Sequence, residues 1–171
     1  MTAEENVLRK TSSSKSLSKE GRAELDSHAD TTCLGSGFVM IGDAVKTCSV
    51  EPFLETYQPV TEIPVGTCIT AYDDPASGQT FILQFHQALF FGNKMKVSLL
   101  NPNQMRLAGN TVNDCPKHLS EAQSSSHSII TPDLEIHLDL NGVVSGFNTR
   151  VPNDNETENC IWVDMTDARE W

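Results

Sequence analysis

The sequence predicts a mainly β protein, either a small barrel or a sandwich. Between residues 23 and 115, short runs rich in β-branched and aromatic residues are separated by Gly, Pro, Asn and Asp. This is the pattern of strands joined by tight turns. The same part of the chain shows no long stretch with helical spacing of its apolar residues. We therefore expect a domain built from short strands with very little helix.

The predicted strands follow one another along the domain. They cover residues 22–25, 38–41, 45–50, 66–72, 80–85, 88–91 and 95–100. Turn formers, among them Pro75 and Gly78, fill residues 73–79, so the flanking strands are expected to form a hairpin with a mobile tip. A short helix is expected at 102–108, because Pro102 suits a first helical turn and Gly109 suits a helix exit.

A second hairpin is predicted near the C-terminus. Residues 134–140 alternate between apolar and polar side chains, as a strand with one buried face does. Asn141 and Gly142 come directly before Val143 and Val144, and Asn-Gly favours a type I′ turn. We expect the chain to reverse at this dipeptide.

The chain divides into one domain with polar segments around it. Residues 1–22 are rich in Ser and charged residues and predict a disordered linker, which agrees with a hydrophobic fraction of only 38%. Residues 23–115 are the predicted domain, and 116–128 are a second polar linker. Residues 129–171 then form a C-terminal extension that contains the second hairpin.

Charge and cysteine content argue against several classes of protein. The net charge of −11 would repel phosphate backbones, so no direct contact with nucleic acid is expected. No apolar run is long enough to cross a bilayer and no secretory leader is seen, so an intracellular protein without membrane contact is expected. The five cysteines include no Cys-x-x-Cys pair, and no metal or other cofactor is expected.

The segment 24–35 carries the clearest chemical signal. An apolar strand end leads into Asp26, and small polar residues follow it. A carboxylate at such a point can be held by backbone amides and by the hydroxyls of Ser27, Thr31 or Thr32. A rigidly held carboxylate of this kind can act as a general base.

The residues from Leu25 to Thr32 resemble the Asp-Thr/Ser-Gly-Ala-Asp-x-Thr signature of retropepsin-like aspartic proteases. Residues 89–92 and 97–109 are similar to a late strand, buried strand and helix of the copia-type retrotransposon members of that family. The resemblance implies that Asp26 is catalytic and that Ser27 links the active-site loops. It also implies that Ala29 and Asp30 contact the substrate backbone.

The same resemblance implies an architecture and a biological setting. The fold would be a closed β-barrel subunit with one short helix, and the hairpin near Pro75 would be the flap, with Ser77, Gly78 and Gln79 touching substrate. Residues 129–171 would be the connector that precedes integrase in a Gag-Pol polyprotein. The substrate would be that polyprotein, cut in the cytoplasm within a virus-like particle.

His28 departs from the family pattern, because it stands where the signature has glycine. Glycine accepts backbone angles that a side chain resists, so a histidine could crowd the cleft and impair the site. Alternatively, an imidazole ionised at mildly acidic pH could stabilise the Asp26 carboxylate and shift the working range. As part of this loop, His28 is expected to contact substrate in either case.

The chain carries one such signature, so the second catalytic aspartate of this mechanism would come from another copy in a C2 homodimer. Two rival interpretations remain. One is an inactive remnant that serves only as a dimerising or peptide-binding module. The other is a metal-assisted hydrolase whose ligands are Asp26, His28 and Asp30, which alternate along the sequence.

Overall fold

The computed structural model of the protein describes residues 19–52, 54–121 and 124–169. Within these residues, nine strands form one large sheet and three form a smaller one, so the mainly β prediction is confirmed. The predicted linker at 1–22 lies mostly outside the described residues, and its last part already belongs to the first strand. The described residues contain no helix long and apolar enough to cross a membrane.

The large sheet contains most of the predicted domain. Its strands are β1 (Glu20–Leu25), β2 (Cys33–Leu34), β3 (Val39–Val50), β4 (Val60–Asp73), β5 (Thr80–Phe90), β6 (Val97–Leu100), β10 (Asp139–Asn141), β11 (Val144–Arg150) and β12 (Ile161–Asp164). The order of strands across the sheet is β10, β11, β1, β6, β2, β5, β4 and β3, and β12 pairs with β5. A single pairing of Arg150 with Ala71 also links β11 to β4.

The smaller sheet spans the predicted second linker. It consists of β7 (Thr111–Asn113), β8 (Ser128–Ile130) and β9 (Glu135–His137), paired in that order. Residues 116–128 therefore connect two adjacent strands, and they include a 3-10 turn at Lys117–Leu119. The alternation predicted at 134–140 is seen from Leu134 to Leu138, but β9 ends at His137 and β10 joins the other sheet.

Two pairs of predicted strands are continuous in the structure. The runs at 38–41 and 45–50 form β3, whose pairing with β4 shifts register between Ile41 and Lys46. The runs at 80–85 and 88–91 form β5, in which Gln87 has a φ of 54°. Helix α1 (Pro102–Leu107) lies where it was expected, and a second helix, α2 (Asp154–Asn159), was not predicted.

The main core joins the predicted domain to the C-terminal extension. Phe38 and Phe85 meet edge to face, and so do Tyr72 and Phe147. Phe147 of β11 and Val163 of β12 are buried in the same apolar cluster as Ala23 of β1. Burial of side chains this large contributes roughly 2 kcal/mol each, so the extension is held by the core of the domain.

The C-terminal hairpin forms, with a turn one residue later than predicted. Asn141 pairs with Val144, so Gly142 and Val143 are the two turn residues. Gly142 has a φ of 63°, whereas Val143 is not among the described residues with positive φ. A type I′ turn needs positive φ at both positions, and glycine at the first alone fits type II′. Gly142 thus determines the type of turn, and Asn141 forms the last residue pair of the β10–β11 ladder.

Arg150, the last residue of β11, ties three elements together. Its guanidinium donates to both carboxylate oxygens of Asp73 on β4, with Nε and Nη2 each at 2.7 Å. It also donates to both oxygens of Glu156 on α2, at 2.8 and 2.6 Å. Hydrogen bonds from Arg150 lower the pKa of both carboxyl groups.

Arg150→Met is expected to lower the free energy of unfolding by about 1–2 kcal/mol near neutral pH, since part of the cluster is exposed to solvent. Groups with a depressed folded-state pKa stabilise the protein above their ordinary pKa, about 4, and this contribution is lost as the pH falls further. The difference in unfolding free energy between the native protein and Arg150→Met should therefore become smaller at acidic pH. Urea unfolding at neutral and acidic pH measures it.

Arg169→Met is the matched control, because Arg169 is 85% exposed and pairs only with its neighbour Asp167 among the described ion pairs. It should unfold like the native chain near neutral pH. An Arg150→Met deficit that stayed constant from neutral to acidic pH would contradict the proposed role of the two carboxylates.

Candidate functional site

Asp26 lies where β1 ends and a loop begins. β1 runs parallel to β6, with Leu25 opposite Leu100. The backbone N–H of Asp26 donates to the carbonyl of Leu100 at 2.9 Å, which fixes the residue just beyond the strand. Asp26 is half-buried, whereas Ser27 and His28 are exposed in the turn that follows. The sequence prediction of an acidic residue held at a strand end is thus seen in the structure.

The Asp26 carboxylate is held by the backbone of the residue that departs from the family pattern. Its Oδ1 accepts a hydrogen bond from the His28 N–H at 2.9 Å. His28 is not among the described residues with positive φ. The loop therefore does not require glycine at this position for its backbone angles, and His28 is exposed.

The two threonines of the motif hold the far end of the loop. Thr32 is fully buried, and its N–H donates to Oε1 of Gln104 at 2.6 Å. Its hydroxyl accepts from the N–H of Asn101 at 3.2 Å. The hydroxyl of Thr31 donates to the carbonyl of Gln87 at 3.3 Å. Both threonines therefore hold the backbone of the loop. Neither of their hydroxyls forms a described hydrogen bond with the Asp26 carboxylate.

A cleft of about 600 Å³ lies beside this loop. One side is the loop from His28 to Thr31, and the other is the outer part of the β3–β4 hairpin, which we call the arm (residues 46–52 and 54–65). The apolar cluster of Ile63, Val65 and Leu89 packs beneath it. The residues that line it are His28, Ala29, Asp30, Thr31, Lys46, Cys48, Ser49, Val50, Glu51, Val65, Gln87 and Leu89.

The structure does not bring Ser77, Gly78 and Gln79 to this cleft. They lie in the turn between β4 and β5, next to the Asp73–Thr80 pair, whereas Val65 and Leu89 pair at the cleft end of the same two strands. Because a strand rises about 3.3 Å per residue, the turn is roughly 25 Å from Val65. The predicted flap is therefore misplaced, and the arm is the hairpin beside the Asp26 loop.

The β4–β5 turn has a local structural role. The carboxylate of Asp74 accepts from the N–H of Ala76 and from the N–H and hydroxyl of Ser77. The bond from the Ser77 hydroxyl is the main cause of a lowered pKa for Asp74. An aspartate that bonds the following amides closes a turn, so Ser77 is committed to the turn rather than to a ligand.

Cys33, directly after the loop, is suited to packing and not to nucleophilic attack. Burial, together with smaller effects of the neighbouring Cys48, Asp26 and Asp30, raises the pKa of its thiol to about 11. The nucleophilic form of cysteine is the thiolate, so near neutral pH this side chain stays protonated. Its thiol donates to the carbonyl of Thr31 at 3.5 Å.

The metal-hydrolase alternative finds no support in the geometry. In the described part of the chain, no three His, Cys, Asp or Glu side chains converge as a metal site requires. Asp26, His28 and Asp30 alternate in sequence, but they lie in a turn instead of along a strand face. Their side chains therefore do not share the direction that the alternative needs.

Sequence reasoning missed three residues of the site. Gln87 lines the cleft and has a left-handed backbone, which few residues other than glycine adopt. Asn101 and Gln104 hold the loop from the start of α1, and the Nε2 atom of Gln104 is buried with no hydrogen-bond partner among the described residues. Asn101 before Pro102 carries a helix N-cap signal, but no local pattern reveals what else its side chain bonds.

Comparisons of the chain with protein-family models, with curated proteins and with solved structures found no match.

Proposed function

We propose that the protein is a retropepsin-like aspartic endopeptidase subunit that works as a homodimer. The observation that carries the proposal is the placement of Asp26, half-buried at the end of β1, with its carboxylate held by the His28 N–H beside a peptide-sized cleft. The carboxylate and the cleft wall belong to one short loop. Asp26 itself does not line the cleft of one copy, so a second copy completes the site in which the held carboxylate activates water beside a bound peptide.

The strand order supports a barrel-like subunit of this kind. β1 and β6 run parallel, β2 and β5 run parallel, and β2 also pairs antiparallel with β6 at Cys33 and Leu99. The Asp26 loop thus connects β1 to β2, and both of these strands pair with β6. The Arg150–Ala71 pairing of β11 with β4 brings the two sides of the sheet together, as closure of a barrel would.

The mechanism needs two carboxylates that share one proton. Two like charges a few ångströms apart do not both ionise, so one carboxylate acts as the base and its protonated partner as the acid. The base removes a proton from the attacking water, and the acid donates a hydrogen bond to the carbonyl oxygen of the scissile peptide. Asp26 supplies one group, and Asp26 of a second copy supplies the other.

The surroundings of Asp26 suit an interface with a second copy. β11 pairs with β1 as far as Gly146 opposite Glu24. Continued toward the β10–β11 turn, this register sets Val144 at the level of Asp26. Val143 is 94% exposed, and Val144 and Leu140 are also exposed. A two-fold axis beside Asp26 would cover these apolar side chains.

The substrate is an extended peptide bound between the Asp26 loop and the arm. An extended peptide gains affinity from main-chain hydrogen bonds and selectivity from side-chain pockets. The arm carries exposed Leu54, Tyr57 and Val60 toward its tip, where a bound chain could cover them. The polyprotein of a copia-type element is the natural substrate that the sequence resemblance implies.

Cleavage of a peptide library by the purified chain tests the proposal. Activity should fall with dilution, as expected when dimers dissociate, and a statine-type peptide mimic should inhibit it while a chelator should not. A dimeric protein that cuts no peptide would refute the proposed activity.

One observation favours a binding module without catalysis. The cleft of a single copy is lined from His28 onward and does not include Asp26, so one copy can hold a peptide without presenting it to the carboxylate. Peptide binding by a strictly monomeric protein, with no cleavage at any concentration, would support this second function.

His28→Gly is expected to change kcat by less than about threefold, which is under 1 kcal/mol. The group that bonds Asp26 is the His28 backbone N–H, and glycine keeps it. The native φ is not one that only glycine adopts. Steady-state cleavage of one peptide by both proteins is the measurement. A gain of tenfold or more would instead mean that the imidazole obstructs the site.

A further inference from the structure

The loop from Asp26 to Thr32 contains little regular structure of its own. It consists of turns and bends, and Ser27, His28 and Asp30 are exposed. The hydrogen bond from His28 to the Asp26 carboxylate closes only its first turn. The position of the carboxylate therefore depends on the segments to which the loop is bonded.

The junction of β6 with α1 supplies these bonds. The Leu100 carbonyl accepts from Asp26, and Gln104 accepts from the N–H of Thr32, so both ends of the loop are held. The middle is held by Asn101, whose Nδ2 donates to the carbonyl of Ala29 at 2.6 Å. Ala29 directly follows His28, the residue whose N–H orients the Asp26 carboxylate.

The Asn101 side chain has a second task at the same time. Its Oδ1 accepts from the N–H groups of Asn103 at 2.8 Å and Gln104 at 3.2 Å, so it is the N-cap of α1. Ser, Asp and Asn cap helices about equally well, and Thr somewhat less well. Only asparagine among them also carries N–H donors that can reach a carbonyl on the other side. The loop therefore accounts for the choice of asparagine.

We propose that Asn101 is a positioning residue of the active site, which couples the cap of α1 to the Asp26 loop through the Ala29 carbonyl. The inference rests on the proposed protease function and extends it. Without this bond, the segment 27–30 is free to shift, and the His28 N–H no longer holds the carboxylate in one orientation. A displacement of about 1 Å at a reacting group can reduce the rate about 100-fold.

A matched pair of variants separates the two tasks. Asn101→Ser keeps a capping hydroxyl and removes the donor to Ala29. Asn153→Ser makes the same change at the N-cap of α2, where the asparagine side chain accepts from the N–H of Glu156. Both variants should melt close to the native protein, because serine replaces asparagine well at an N-cap.

Only Asn101→Ser should lower kcat, by about 10- to 100-fold, with a smaller change in KM, and only this variant should speed hydrogen exchange at residues 27–30. A kcat within about twofold of both native and Asn153→Ser proteins would overturn the inference. If the native chain cuts nothing, the proposed function fails. The proposed restraint of the loop by Asn101 is then tested by hydrogen exchange alone. Unchanged exchange at residues 27–30 in Asn101→Ser would overturn it.

Discussion

Asp26→Asn is expected to reduce peptide cleavage at least about 1,000-fold, because it removes the proposed general base and the proton that the two carboxylates would share. The fold should be unaffected. Asparagine has nearly the same shape, and its carbonyl oxygen can still accept the hydrogen bond from the His28 N–H. Cleavage of a peptide substrate and thermal unfolding of the same preparation measure the two effects separately.

Asp133→Asn is the control, since Asp133 is exposed in the turn before β9 and its replacement changes the net charge equally. It should cut like the native chain. Full cleavage by Asp26→Asn would end the aspartic protease assignment.

Mixing native and Asp26→Asn subunits tests whether the site is shared. If each active site needs Asp26 from both copies, only native–native dimers cut. Random pairing of equal amounts then leaves about a quarter of the activity of an equal total of native protein. About one half would remain if each subunit acted alone.

Local features of this fold were predictable, and their tertiary partners were not. Asp26 at a strand end and helix α1 follow from short sequence patterns. The two-residue strand β2 does not, because it is defined by its neighbours β5 and β6 rather than by any alternation of its own. Helix α2 had a readable signal, the Asn153–Glu156 capping box, in a polar stretch without helical periodicity.

The misplaced flap has a physical explanation. Both connections, 51–59 and 73–79, contain prolines and polar residues, so either could have been the tip of a hairpin over the site. Which one lies near Asp26 is decided by the parallel pairing of Cys33 with Leu89. This pairing brings the open end of the β4–β5 hairpin, and with it the arm, to the loop. No local sequence pattern contains that information.

The predicted domain boundary at residue 115 also rests on a local pattern, which does not reveal strand pairing between distant parts of the chain. β11 pairs with β1 over five residue pairs, from Glu20 with Arg150 to Glu24 with Gly146. β12 pairs with β5 over four more, from Ile161 with Phe81 to Asp164 with Gln84. The stretch at 116–128 predicts a linker because its residues are polar, yet the chain beyond it returns to the sheet.

A chain truncated after residue 115 is therefore expected to be unfolded. Truncation removes β11, one of the two partner strands of β1, and takes buried Phe147, Val163 and Met165 out of the main core. Truncating one large core side chain costs about 2–5 kcal/mol, and a domain is stable by only about 5–15 kcal/mol in total. Circular dichroism and thermal unfolding of the truncated and full chains measure the loss.

The decisive comparison is a chain that is cleaved once within residues 116–128 and loses no residues. A specific protease site inserted beside the exposed Leu119 would break the chain within the predicted linker. The two pieces should stay together and melt cooperatively, because the strand pairs and the core that join them are intact. A truncated chain that folds and cuts peptides by itself would show instead that residues 116–171 are a dispensable connector.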